Sequence, residues 1–203
     1  MKRPKKRAQQ NAGPIAILVL GAIGLVSLFG YGIYKSGSTP AATMDKEPTA
    51  GCTHSPVKAT IAGLESVACK SADHVREGQS VTYESDPPLA GQHWASWVGP
   101  GFYQADQPKE KLVHSLEHGH VVIYYDESKL SALHLDNLKK LAGQYKGQWD
   151  GVVAVPRKDA KHAVILTAWE YALRLESWDQ SRLDAFVDAF RGRGPENPVR
   201  PLS

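Results

Sequence analysis

The chain has 203 residues, with 24 Lys+Arg against 21 Asp+Glu, 2 Cys and 8 His, and with 42% hydrophobic and 22% charged residues. These proportions exclude a disordered polyampholyte, a multi-span membrane protein, a collagen-like chain and a disulfide-dense scaffold. The net charge of +3 sits at one end: residues 1–35 hold six basic residues and no acid, leaving 18 basic against 21 acidic residues beyond them, so a basic folded surface for nucleic acid is excluded as well.

Residues 1–11 read as a basic cytoplasmic terminus. Residues 12–34 are 23 consecutive uncharged, mostly apolar residues, which as a helix would extend about 34 Å and cross a hydrocarbon core of about 30 Å. Pro14 stands where a helix tolerates it, and Tyr31 and Tyr34 stand where interfacial rings are favoured. Lys2, Arg3, Lys5, Lys6 and Arg7 precede the segment and only Lys35 follows it closely. The positive-inside rule then predicts a single-pass anchor in the lipid bilayer, with everything after it outside the cytoplasm. The competing reading, a cleaved signal peptide, asks for a shorter apolar segment and a small-x-small site close behind it. Residues 35–50, rich in Ser, Thr, Ala and Pro, read as a flexible linker.

Residues 51–190 are expected to form one extracytoplasmic α+β domain, and residues 191–203 an irregular tail rich in Pro and Gly. Cys52 and Cys69 are the two cysteines of the chain. Outside the cytoplasm such a pair is most simply a disulfide, worth about 3 kcal/mol on the chain-entropy model. The rival is a thiolate metal ligand, suggested by Cys52-Thr53-His54, which this compartment would tend to oxidise. Short strands are predicted near Ser80–Tyr83, His120–Tyr125, Val152–Val155 and Ala163–Trp169. Two main helices are predicted. The first carries the stripe Leu130, Leu133, Leu138, Leu141 and Tyr145 and ends by Gly147. The second carries Leu183, Phe186, Val187 and Phe190, is opened by a capping box of Ser177 and Gln180, and is stopped by Gly192. Together these elements predict a small mixed or antiparallel sheet with helices packed on it. The long segment 84–101, with three prolines, three glycines and two tryptophans, reads as an ordered functional loop anchored by Trp94 and Trp97.

Four of the eight histidines fall within 28 residues: His93 in that loop, then His114, His118 and His120. A helical turn over Ser115–Glu117 puts His114 and His118 on one face, and a strand starting at His118 puts His118 and His120 on one face. Gly119 lets the backbone switch between the two regimes. Imidazole suits copper, zinc, iron and nickel, so these four are the candidate metal ligands. Glu117 precedes rather than follows its neighbouring histidine, unlike the zincin H-E-x-x-H pattern, and is expected to orient an imidazole from behind. The alternative is a set of hydrogen-bonded structural histidines. His54, His134 and His162 stand apart.

The segment from His74 to Trp169 resembles the extracytoplasmic bacterial family called domain of unknown function 3105. The resemblance rests on His74-Val75, Tyr83, Pro87-Pro88-x-x-Gly91-x-His93, Trp97, Gly101-x-Tyr103, Val113-His114-x-Leu116-Glu117-His118-Gly119 and Thr167-Ala168-Trp169. It implies a secreted or membrane-anchored domain with recurrent histidines and no settled activity. His93, His114 and His118 match the family pattern. His120 does not, and Leu89 stands where the family often has a small hydroxyl residue.

Neutral imidazoles in an oxidising compartment favour copper, the strongest binder of the divalent series, with zinc and iron as alternatives. The leading expectation is a membrane-anchored copper protein acting as a copper-only superoxide dismutase, with superoxide as substrate. Arg76, Lys109 and Lys111 are the nearby cations that would steer that anion. Two alternatives are a metal carrier or sensor without turnover, and a structural subunit of an envelope complex or homo-oligomer. A zinc hydrolase using Glu117 is more distant, because no partner constellation supports it.

Overall fold

The computed structural model describes residue 52, residue 57 and residues 59–201. The predicted anchor and linker lie outside the described residues, among which no helix is long and apolar enough to cross a membrane.

Three strands of β-branched residues make the centre. β5 (Val121–Tyr125) runs parallel to β6 (Val152–Pro156) and antiparallel to β7 (Val164–Ala168). Almost every residue in them is buried, as expected for strands covered on both faces. The period of two sorts their side chains. Val121, Ile123, Val152, Ala154, Val164 and Leu166 enter one core, while Val122, Tyr124, Val153, Val155 and Ile165 enter the other. β8 (Tyr171–Leu175) pairs antiparallel with β7, β1 (Leu64–Ser66) with β8, and β4 (Gly101–Phe102) parallel with β6. The sheet order is β1-β8-β7-β5-β6-β4. The first core takes α2 (Ala132–Gln144) through Leu138 and Ala142, and α3 (Gln180–Phe190) through Leu183, Phe186, Val187 and Phe190. The second takes α1 (Lys109–Glu117) through Leu112, Val113 and Leu116. Helices therefore cover both faces of the sheet.

The α+β class and the mixed sheet are as expected, but there are three helices rather than two. α1 escapes the apolar periodicity because half of its buried face is polar: Glu110, His114 and Ser115 share it with Leu112, Val113 and Leu116. Ser80–Tyr83 is not a strand. Its backbone is satisfied by side chains instead, with Val81 N donating to Glu110 Oε1 at 3.2 Å and Lys109 Nζ donating to Val81 O at 2.9 Å. Leu133 is 65% exposed and lies off the core stripe. The cap of α3 is Asp179, whose carboxylate accepts from Arg182 N, rather than Ser177 with Gln180. Cys52 and Cys69 are disulfide-bonded.

A small second sheet positions the site. β2 (His74–Val75) and β3 (His93–Trp94) are parallel, with His74 opposite His93. The loop after β3 is tied to α1 by Ser115, whose Oγ donates to Val98 O at 2.9 Å and accepts from Val98 N at 3.0 Å.

Candidate metal centre

α1 ends in a Schellman turn. Gly119 N donates to Leu116 O at 2.9 Å and His120 N to Ser115 O at 3.0 Å, while Gly119 takes φ +87°. The turn fixes three things at once. His114 and His118 stay one helical turn apart with ring centroids at 4.6 Å. Glu117 faces the β2–β3 pair. The chain then enters β5 directly. Segment 191–201, which carries no helix or strand, packs on this turn: Gly192 N donates to Gly119 O at 2.9 Å and Glu196 N to Glu117 O at 3.4 Å. Gly194 approaches so closely that a Cβ there would lie 2.1 Å from Gly119 N and 2.2 Å from Glu117 O.

Two groups of donors result. The donor atoms of His74, His93, His114 and Glu117 all lie within 4.8 Å of one another, as do those of His114, His118 and Glu196. In the first group the rings of His74, His93 and His114 form a triangle with centroid separations of 4.9, 4.9 and 4.8 Å. Carbonyl oxygens only accept hydrogen bonds, so they fix the tautomers. His93 Nδ1 donates to Gly91 O at 2.8 Å, and His114 Nδ1 donates to Trp94 O at 2.7 Å. Each ring is left with Nε2 as its metal-facing nitrogen, an arrangement typical of ligating histidines. His93 Nε2 lies 3.0 Å from Glu117 Oε2 in a fully buried position. With Nδ1 already protonated, a lone pair there would face a carboxylate. A proton or a metal ion on Nε2 relieves that repulsion.

Burial disfavours the charged form of the imidazoles on and just after α1. Burial pushes His114 and His118 down to about 4, and lowers His120 as well. Burial also raises Glu196, reinforced by the nearby negative charge of Glu117. His118 Nε2 is 3.1 Å from Glu196 Oε2, and its ring is flanked by Trp97 and Trp149 at centroid distances of 4.6 and 4.3 Å. Its Nδ1 is buried without a hydrogen-bond partner among the described residues.

Of the four histidines singled out by sequence, His93 and His114 meet in the first donor group, and His114 and His118 in the second. His120 is fully buried, but its Nε2 donates to Gln148 O at 2.7 Å and it belongs to neither donor group. Glu117 stands among the donors themselves, beside His93 Nε2, rather than behind an imidazole. Two members were not singled out. His74 appears in the sequence only within the His74-Val75 motif, and its pairing partner was needed to place it. Glu196 comes from the Pro/Gly-rich tail and has no sequence signal. Trp97, expected as a loop anchor, is 42% exposed and covers His114 and His118 instead. Two concavities of about 500 and 580 Å³ share Asp106, Arg157 and Lys158 and contain no histidine, so the site is defined by converging donors and not by volume.

A family model described as "Protein of unknown function (DUF3105)" matches residues 74–201. The chain belongs to this family. The match begins at His74 and extends past Glu196, so both donor groups of this DUF3105 domain lie within it. No curated protein and no solved structure matches the chain.

Proposed function

We propose that this DUF3105 protein is a membrane-anchored, extracytoplasmic metal-binding protein that holds copper between His74, His93, His114 and Glu117. The observation that carries this reading is the buried His93 Nε2 facing Glu117 Oε2 at 3.0 Å, with Nδ1 committed to Gly91 O. Copper is favoured by the predominance of imidazole donors, and the Cys52–Cys69 disulfide suits an oxidising compartment. The single carboxylate also suits zinc or iron, which metal analysis distinguishes.

The carrier reading comes first. Lys111 Nζ is paired with Glu77 at 3.1 Å and Lys109 Nζ donates to Val81 O at 2.9 Å, so these two ammonium groups are already engaged. Superoxide dismutation is the second reading, favoured by the exposure of His74 at one edge of the donor group. There copper would oxidise one superoxide to dioxygen and, once reduced, pass the electron with two protons to a second superoxide, giving hydrogen peroxide.

The test is copper content and electron paramagnetic resonance of the purified full-length protein, with superoxide consumption measured on the same samples. His93→Ala and His74→Ala are expected to lower copper affinity by about 10–100-fold. His74 is exposed, so its variant is expected to fold. Copper affinity unchanged in both variants overturns the site. A copper-loaded protein that does not consume superoxide removes the dismutase reading and keeps the carrier.

A further inference from the structure

The two donor groups share one residue, His114. We propose that they form a single-ion, two-position site, in which copper moves between an inner position (His74, His93, His114, Glu117) and an outer one (His114, His118, Glu196) with His114 as the pivot. This inference rests on the copper-binding reading above and adds a direction of transfer to it.

The hydrogen bonding of His114 excludes the simplest alternative, a two-metal centre bridged by its imidazole. Its Nδ1 donates to Trp94 O at 2.7 Å, so Nε2 carries the one lone pair available for a metal. That lone pair serves either group, one at a time. The move is short, because His114 lies 4.9 Å from His74 and 4.6 Å from His118, centroid to centroid. Each position has its own carboxylate, Glu117 from α1 and Glu196 from segment 191–201, so a cation meets a negative charge at both. The two positions also reach solvent through different residues. His74 is exposed, and the Glu196 side chain is 44% exposed, whereas His93, His114 and His118 between them are buried. His118 presents Nε2 to Glu196 Oε2 at 3.1 Å and sits between Trp97 and Trp149, which limit water at that ring. An ion passing from His93 and Glu117 to His118 and Glu196 would thus exchange protein donors while staying on His114. No change of oxidation state is involved.

The outer position exists because the tail is seated on the Schellman turn. Gly194 against Gly119 leaves no room for a side chain, and Glu196 N donates to Glu117 O. The arrangement suits a protein that accepts metal at one edge and releases it to a different acceptor at the other.

The experiment titrates the full-length protein with Cu(II), then follows transfer of the bound ion to EDTA by stopped-flow absorbance, for wild type, Glu196→Gln and His93→Ala. Wild type is expected to bind one equivalent. Glu196→Gln should still bind one equivalent, while its transfer to EDTA slows by about tenfold, the scale of losing one contributing group. His93→Ala should bind about 10–100-fold more weakly, with an altered paramagnetic resonance spectrum and no slowing of transfer. Two equivalents of comparable affinity in wild type, or equal transfer rates in wild type and Glu196→Gln, overturn the two-position site while leaving copper binding intact. Absence of copper binding in wild type overturns the parent reading and this one with it.

Discussion

Replacing Gly194 by alanine isolates the contact that brings the tail to the metal centre. The added Cβ would lie 2.1 Å from Gly119 N and 2.2 Å from Glu117 O. Both are backbone atoms and neither is free to move aside, so the two segments must separate. Overpacking of this kind costs about 1–3 kcal/mol or more. Gly119→Ala adds a second cost, because φ is +87° and its Cβ would lie 2.7 Å from Gly194 N. Left-handed strain of about 1–2 kcal/mol joins the clash, for a total of about 2–5 kcal/mol. Gly78→Ala is the control, with φ +85° and nothing within 4 Å of the new Cβ. It should cost the strain alone, less the roughly 0.4–1 kcal/mol recovered by a stiffer unfolded chain. Urea unfolding of the three metal-free variants measures the series, with an unchanged m-value showing that stability alone has moved. Because Glu196 rides on the displaced segment, Gly194→Ala should also slow copper transfer as Glu196→Gln does. If Gly194→Ala is as stable as wild type and transfers copper at the same rate, the tail does not sit on the turn and the reasoning fails.

Other consequences are independent of that contact. His114 and His118 sit at about 4 in the fold, through burial, against about 6.5 when unfolded. Below about pH 6.5 the unfolded chain therefore takes up protons that the folded one refuses, so metal-free stability is full above that pH and falls toward pH 4. Urea midpoints at pH 7.5, 5.5 and 4.5 should decrease in that order; a flat profile would contradict the burial of these rings. Leu138→Ala, in the first core, should cost about 2–5 kcal/mol, whereas Leu133→Ala, 65% exposed, should stay within about 0.5 kcal/mol, both read by thermal unfolding. His120→Ala should keep copper affinity while losing about 1–3 kcal/mol of stability, since it leaves Gln148 O without its donor; loss of copper instead would make His120 a ligand. Serine at both Cys52 and Cys69 should cost about 3 kcal/mol in unfolding experiments, the closure of a loop 17 residues long.

Much of the sheet was legible because its signal is local. β5, β6 and β7 are runs of Val, Ile, Leu, Tyr and Ala that few other structures would bury, and α3 carries its core stripe at helical spacing. β8 was not legible, because the β7–β8 turn uses Trp169-Glu170, with Glu170 at φ +69°, instead of the Gly or Asn that marks most such turns. α1 was hidden by its polar residues: Glu110, His114 and Ser115 share its buried face with Leu112, Val113 and Leu116 and interrupt the apolar stripe. Ser80–Tyr83 alternates like a strand but has its backbone groups taken by Glu110 and Lys109 from α1, which no local pattern reveals.

The same division runs through the site. By itself the sequence determined that a helical turn before His118 would put His114 and His118 on one face, and that Gly119 would let the backbone change regime beside them, because each follows from backbone geometry over a few residues. Only the tertiary structure decided which donors meet. It set His74 opposite His93 through a two-residue parallel pairing, turned His120 toward Gln148, and brought Glu196 from the far end of the chain onto His118. Those choices depend on hydrogen bonds and close contacts between segments distant in sequence, which composition and periodicity do not encode.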